Sequence, residues 1–302
     1  MSALSQKTAE FELAAMTAAI DELPSIPETL IEILRLIDDP DSGAADLARV
    51  VRVDAPLAAK IIRLANSPYY GGRERIGEIS RCIAVIGYRT MRSVAICLSV
   101  ATNLMTSVAN GGGRLDYRAL WRHSVAVGAM TKHLAALAGE EDPEELFSAG
   151  LLHDLGKYVL ELHAPETYDR VVYARARSGA PLVEAEREAF GFDHAQAGEA
   201  FARAWRFPEY LADCLGRHHR AAAPAGGAAT RLDRTVALVA LADYLANTME
   251  PPRSDLGFDA ALCDVQALHE AAGLSVDRVE AELPALREEV RLAAVFGSLT
   301  DV

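Results

Sequence analysis

The stretch GLLHDLGKYVLELHAP, Gly150 to Pro165, sets an imidazole and a carboxylate side by side in an apolar run. Leu151, Leu152, Leu155, Val159 and Leu160 surround His153 and Asp154. That spacing predicts helix, and a helix of this composition buries most of its surface. A buried imidazole or carboxylate without a partner is costly. The pair is therefore either satisfied structurally or holds a metal ion, and the rest of the chain has to decide.

The surrounding sequence is helical in character. The 302 residues are 51% hydrophobic and 24% charged, a globular balance that excludes general disorder. Aromatics are only 6%, and Ala, Leu and Val dominate, which favours helices packed through small and branched side chains. The net charge of −13 repels phosphate backbones, so broad nucleic-acid binding is not expected. Cys82, Cys97, Cys214 and Cys263 form no CxxC pair and read as buried small hydrophobes in a reducing compartment. The N-terminus has no basic-then-apolar signal pattern. Ser93 to Gly113 lacks charge but contains Ser, Thr and Asn throughout and ends in NGGG, so it reads as a buried helix rather than a bilayer span. These features predict a soluble, cytoplasmic protein.

Helical period recurs along almost the whole chain. PETLIEILRLIDDPD puts Leu30, Ile33, Leu34 and Ile37 on one stripe, and the helix of APLAAKIIRLANSPYYGG stops at Asn66-Ser67-Pro68. Gly87 breaks the next apolar segment, and ANGGG, Ala109 to Gly113, marks a boundary. AAAPAGGAAT is a low-complexity loop. With no strand alternation and no repeat, the expected class is all-α. The expected parts are an N-terminal helical part over 1–112, a second helical subdomain over 113–250 and a helical tail over 251–302.

Five of the eight histidines fall into order with two aspartates: His123, His153-Asp154, His194, His218-His219 and Asp243. Each lies in or beside an apolar helical segment. Singly they are weak signals, since one buried histidine is more often a hydrogen-bonded core residue than a ligand. His218-His219 would also serve as a cap against a helix dipole. Neutral imidazoles and carboxylates together suit Fe, Mn, Zn or Ni. Lys157 reads equally as a phosphate contact or carboxylate counter-charge and as a solvated lysine closing a helix face. Glu186 reads as a surface salt bridge before a further ligand. Trp121 and Trp205 read as core anchors, and His133, His163 and His269 are given no role.

GLLHDLGK, with a helical histidine upstream and ALAD downstream, resembles the HD superfamily of metal-dependent phosphohydrolases. The closer likeness is to its HDOD subgroup, relatives of the HD-GYP phosphodiesterases. It is carried by LPSIPETLIEILRLIDDPD, DAPLAAKIIRLANSPYYG, ISRCIAVIGYRTMRSVAI and FGFDHAQAGEAFARAWRFPEYLADCLGRHH, from about Leu23 to Arg220 and more loosely to Asp243. The resemblance implies an HDOD-type fold, with an N-terminal helical subdomain packed on an HD-like one. It implies one metal held by His123, His153, Asp154 and Asp243. Asp154 would bridge to a second, completed by His194, His218 and His219. Asp154 and Lys157 would be the catalytic residues if the site were active. Paired metals about 3.5–4 Å apart activate a bridging water and clamp a phosphoryl oxygen. After His219, however, the chain reads RAAAPAGGAAT, and the GYP element of the enzymes is absent.

Three functions follow. The first is a bacterial-type signal-transduction regulator with one or two divalent transition metals, whose partner is a signalling protein or a small phosphorylated ligand. The second is a metal-dependent phosphohydrolase acting on a nucleotide or cyclic nucleotide. The third is a helical domain whose histidines form a hydrogen-bonded core network. The complete ligand set disfavours the third, and the missing GYP element favours the first over the second.

Overall fold

Short polar side chains set many of the helix starts. Asp54, Asp116, Asp142 and Asp193 each accept a hydrogen bond from a backbone N–H three residues on, the donors being Leu57, Ala119, Glu145 and Gln196. Such a bond satisfies one of the orphan donors of a helix's first turn. At Asp193 the Gln196 side chain returns to the Asp193 N–H at 3.1 Å, closing a capping box that fixes the residue after it, His194.

The computed structural model describes residues 25–70, 75–111, 115–220, 230–249 and 264–299, and no strand occurs among them. The protein is all-α. The first part runs α1 (Glu28–Asp38), α2 (Ala44–Val53), α3 (Ala55–Ala65), α4 (Ile79–Ile86) and α5 (Tyr88–Gly111). Then come α6 (Tyr117–Ala138), α7 (Pro143–Leu152), α8 (Leu155–His163), α9 (Pro165–Ser178), α10 (Leu182–Phe190), α11 (His194–Ala204) and α12 (Glu209–Arg217). A 3-10 turn over His218–Arg220 leads on, and α13 (Arg231–Met249), α14 (Val265–Ala272) and α15 (Val276–Ser298) complete the order. The first 24 residues, Gly112 and Gly113 of the expected boundary, residues 221–229 of the expected low-complexity loop, residues 250–263 and with them Cys263 lie outside the described residues.

Helix α6 is the axis. It packs against α7, α13 and α15, while α5 lies across α7 and α8 and carries α1 to α4 on its other sides. One core runs unbroken from Leu30, Ile33 and Leu47 through Met91 and Leu98 to Phe147, Leu152, Phe201 and Phe296. Each such side chain, once fully buried, contributes about 1.5–3 kcal/mol. A second core joins α6 to α13, α14 and α15 through Val127, Met130, Leu238, Leu241 and Leu286. The tail is thus part of the packing: Phe296 meets Phe147 at a ring separation of 5.0 Å and accepts, at its carbonyl, the Trp121 indole N–H. Trp121 and Trp205 are both buried, as their placement in the sequence predicts. Helix α5 is the one described helix long and apolar enough to cross a membrane, and most of that apolar span is buried inside the fold.

The HD stretch departs from one uninterrupted helix. Leu152 ends α7, His153 and Asp154 form the turn, and Leu155 begins α8. Asp154 caps nothing with its side chain, because its carboxylate is engaged elsewhere. Two glycines allow the close approaches around this turn. A Cβ on Gly150 would meet Thr131 Oγ1 at 2.5 Å and the α6 backbone at 2.9 Å. A Cβ on Gly156 would sit 1.8 Å from the His194 carbonyl oxygen and 2.7 Å from the Gly198 nitrogen. The crossing of α8 and α11 therefore requires glycine, and that crossing brings His194 to Asp154.

This makes Gly156→Ala a test of the fold. The backbone of α11 has to move, so the substitution should cost about 3 kcal/mol or more in urea denaturation, or leave no folded protein. Gly43→Ala, whose Cβ meets nothing within 4 Å, should cost under about 1 kcal/mol. Equal midpoints for the two variants would contradict the close crossing.

Candidate metal centre

Five separate elements deliver the seven residues. His123 comes from the middle of α6, His153 and Asp154 from the α7–α8 turn, and His194 is the first residue of α11. His218 and His219 follow the end of α12, and Asp243 lies within α13. Their ligand atoms form two groups: Asp154, His194, His218 and His219 in one, His123, His153 and Asp243 in the other, with atoms in each within 4.8 Å of one another. The described residues thus contain a His/Asp cluster able to bind metal.

The groups adjoin. In one, His123 Nε2 lies 2.9 Å and His153 Nε2 3.7 Å from Asp243 Oδ1. In the other, Asp154 Oδ1 faces His194 Nε2 at 3.3 Å and His218 Nε2 at 3.7 Å, and His219 Nε2 lies 2.8 Å from His194 Nε2. Asp154 Oδ2, 3.4 Å from His153 Nε2, stands between them. His153, Asp154, His194, His218 and Asp243 are buried, whereas His123 and His219 are only partly covered and form the open side.

The outer contacts aim the rings. His153 Nδ1 donates to the Gly150 carbonyl at 2.7 Å and His218 Nδ1 to the Leu215 carbonyl at 2.8 Å. His194 Nδ1 donates to Glu186 Oε2 at 2.6 Å. With Nδ1 engaged, each Nε2 points inward, the arrangement that fixes the tautomer of a ligating histidine. Inside, His153 Nε2, His218 Nε2 and Asp154 Oδ1 are buried and have no hydrogen-bond partner. A self-contained hydrogen-bonded network would not leave three inward atoms orphaned at its centre. Bonds to a cation would satisfy all three, and the N/O donor set fits a divalent transition metal.

The structure separates the readings of Lys157 and departs from both readings of Glu186. Lys157 is no solvated lysine: it is buried, and its ammonium donates to Asp154 Oδ2 at 2.6 Å. Of its two functional readings, counter-charge to the carboxylates is the one the geometry fits. Glu186 is neither a surface salt bridge nor a member of either ligand group. It is fully buried and accepts from His194 N–H at 2.9 Å, from His194 Nδ1 and from the Tyr168 hydroxyl at 3.1 Å. Its helix, LVEAEREAF, is amphipathic, and the one sign in the sequence is that Glu186 falls three and four residues after Val183 and Leu182, on their buried stripe. His133 pairs with Glu282 and His269 with the Leu274 carbonyl, away from the site.

The protons follow this geometry. Burial alone would lower His153, but Asp154 and Asp243 outweigh it and hold the imidazole up at about 10. Burial is likewise overcome at His194, held up at about 9 chiefly by Glu186. His218, buried and beside His153, is pushed down to about 3, and His219 is pushed well down by burial and by His218. Burial would raise Asp154, yet His153 and Lys157 keep its carboxyl well below the usual range. Without metal at neutral pH, His153 and His194 therefore carry protons that a cation must displace.

The family model of the HDOD domain matches residues 23–221. An uncharacterised protein of Treponema pallidum (strain Nichols) is 28% identical over 221 residues; the match covers 70% of this chain and 41% of that protein, so the chain matches less than half of its relative's length. Among solved structures, an HDOD domain protein of unknown function from Geobacter sulfurreducens is 25% identical, with a TM-score of 0.74, over 95% of this chain and 98% of that one. Two more share the fold. One from Marinobacter aquaeolei VT8, provisionally described as a signal transduction protein, is 20% identical with a TM-score of 0.77 over 96% of this chain and 66% of that one. One from Shewanella amazonensis SB2B, provisionally described as a phosphohydrolase, is 23% identical with a TM-score of 0.72 over 95% and 98%.

Two outcomes test the centre. Metal uptake should release protons, and affinity should rise as pH increases from 6 towards the His194 value of about 9. Calorimetry in buffers of different ionisation enthalpy measures both, and pH-independent binding without proton release would contradict this proton inventory. Glu186→Gln, which loosens the His194 ring, should weaken metal binding by about 10–100-fold in a chelator competition. Wild-type affinity in that variant would remove Glu186 from the site.

Proposed function

The chain belongs to the HDOD domain family, and we propose that it acts as a signal-transduction regulator whose HD-like half is organised by one or two bound transition metals. The observation that carries the metal is the convergence of His153 Nε2, His218 Nε2 and Asp154 Oδ1, buried together without partners. Fe, Mn, Ni and Zn are the candidates by donor chemistry. In this reading residues 1–112 receive a signalling partner or a small phosphorylated ligand in the cytoplasm. Residues 113–250 are the metal-bearing scaffold and the tail from 251 braces it.

The residues divide the work. His123, His153 and Asp243 hold one position; Asp154, His194, His218 and His219 hold the other. Lys157 balances the carboxylate charge from within, and Glu186 orients His194. The capping box at Asp193 holds the His194 backbone in place. The regulator is favoured over an enzyme because the segment after His219 lacks the GYP element of the hydrolysing relatives.

A phosphohydrolase is the second reading, favoured by the adjoining of two ligand groups around Asp154. Metals there would supply an activated water and a clamp for phosphoryl oxygen. Asp154 would position that water, and the open side at His123 and His219 would admit the phosphoester. Lys157, bound to Asp154 Oδ2, would act on substrate only through that carboxylate.

Protein purified without chelators should contain one or two transition metals per chain by elemental analysis. Less than about a tenth of an equivalent would remove the metal reading, since a buried His/Asp site of this density retains its ion through purification. Loaded with Mn, Fe or Ni and offered nucleotides, cyclic dinucleotides and p-nitrophenyl phosphate, the protein should show no turnover above the free metal. Turnover abolished by Asp154→Asn would establish the phosphohydrolase instead.

A further inference from the structure

The two carboxylates of the metal centre are held differently. Asp154 has a charged partner, the Lys157 ammonium on its Oδ2. Among the described residues no lysine or arginine pairs with Asp243, whose ion-pair neighbours are His123 and His153. What grips Asp243 is Asn247, one turn further along α13 and beyond residues 23–221 of the HDOD match. The Asn247 amide nitrogen donates to Asp243 Oδ1 at 2.9 Å and to the Asp243 carbonyl at 2.8 Å. Oδ1 is the same oxygen that His123 Nε2 meets at 2.9 Å and His153 Nε2 faces at 3.7 Å.

The chemistry of an amide suits this position. Its nitrogen carries two protons and here meets two acceptors; reversing the group would set its carbonyl oxygen against both, so its orientation is fixed. It also stays neutral. An amide can hold a carboxylate without adding a positive charge that would oppose a cation beside it. Helix formation alone does not call for asparagine, a weaker helix former than the Ala and Leu around it in ALADYLANTM. Near a helix end an asparagine can serve the backbone alone, as the neighbouring Thr248 does through the Leu245 carbonyl. Asn247 bonds backbone and carboxylate together.

A carboxylate turns about two side-chain torsions, and a group of only three ligand residues has none to spare if one oxygen swings away. We propose that Asn247 is a positioning residue of the metal centre: it keeps Asp243 Oδ1 aimed between His123 and His153 and governs that metal position alone. The position at Asp154, His194, His218 and His219 draws on Lys157 and Glu186 instead. This role rests on the metal reading above and adds to it a residue and a position.

The test takes the full-length chain, strips it, and reloads it with zinc at free concentrations set by a chelator buffer. Anomalous diffraction at the zinc edge then reads the occupancy of each position separately. Asn247→Leu keeps the branched shape and removes the donor. It should move half-occupancy of the His123, His153 and Asp243 position to free zinc about tenfold higher or more, and leave the other position where it was. Asn247→Ala should do the same, which covers the case in which leucine packs badly. Thr248→Ala, on the same turn and exposed, should change neither position. An asparagine with a purely structural role would weaken both positions together or neither, and either result overturns the proposal. Equal weakening by Thr248→Ala overturns it too. Wild-type protein with zinc only at the Asp154 group overturns it while the metal reading stands; wild-type protein with zinc at neither position removes both.

Discussion

A fully buried carboxylate governs the second half of this molecule. Asp154 cannot remain ionised in an apolar interior unless cationic or metal partners surround it. Lys157 reaches it from the next turn of α8, His153 from the adjacent position, and His194 and His218 from α11 and the end of α12. Those partners impose the architecture. The α7–α8 break exists at Asp154, the α8–α11 crossing tolerates nothing larger than glycine at 156, and Glu186 is buried to hold the ring of His194.

Much of this was readable before folding. The 3.6-residue period located the helices, and Asn66-Ser67-Pro68 and Gly87 ended them as their backbone chemistry predicts. The seven ligand-type residues stood out because each is polar inside an apolar helical segment. What stayed hidden depends on tertiary partners. The turn at His153-Asp154 sits in a sequence with uninterrupted helical period, so nothing local marks it. Lys157 and Glu186 look like surface residues until α8 and α10 are docked against α11. The polar residues of α5 were visible, but only packing against α3 shows that they line one cavity.

The HDOD match ends at 221, while Asp243 lies on α13 beyond it. The centre is therefore completed by a helix outside the matched region, and α13 is itself held by α6, α14 and α12. On the other side, α5 separates two surfaces. One faces a hydroxyl-lined cavity of the N-terminal helices; another packs on Leu151 and Leu152, immediately before His153.

X-ray absorption at the edge of the bound metal tests most closely whether the inward imidazoles and Asp154 hold that metal directly. The expected spectrum is a nitrogen and oxygen shell at about 2.0–2.2 Å with the multiple scattering of several imidazoles, diminished by His194→Ala. A shell containing sulfur, or a spectrum matching the hydrated ion without imidazole scattering, would contradict it.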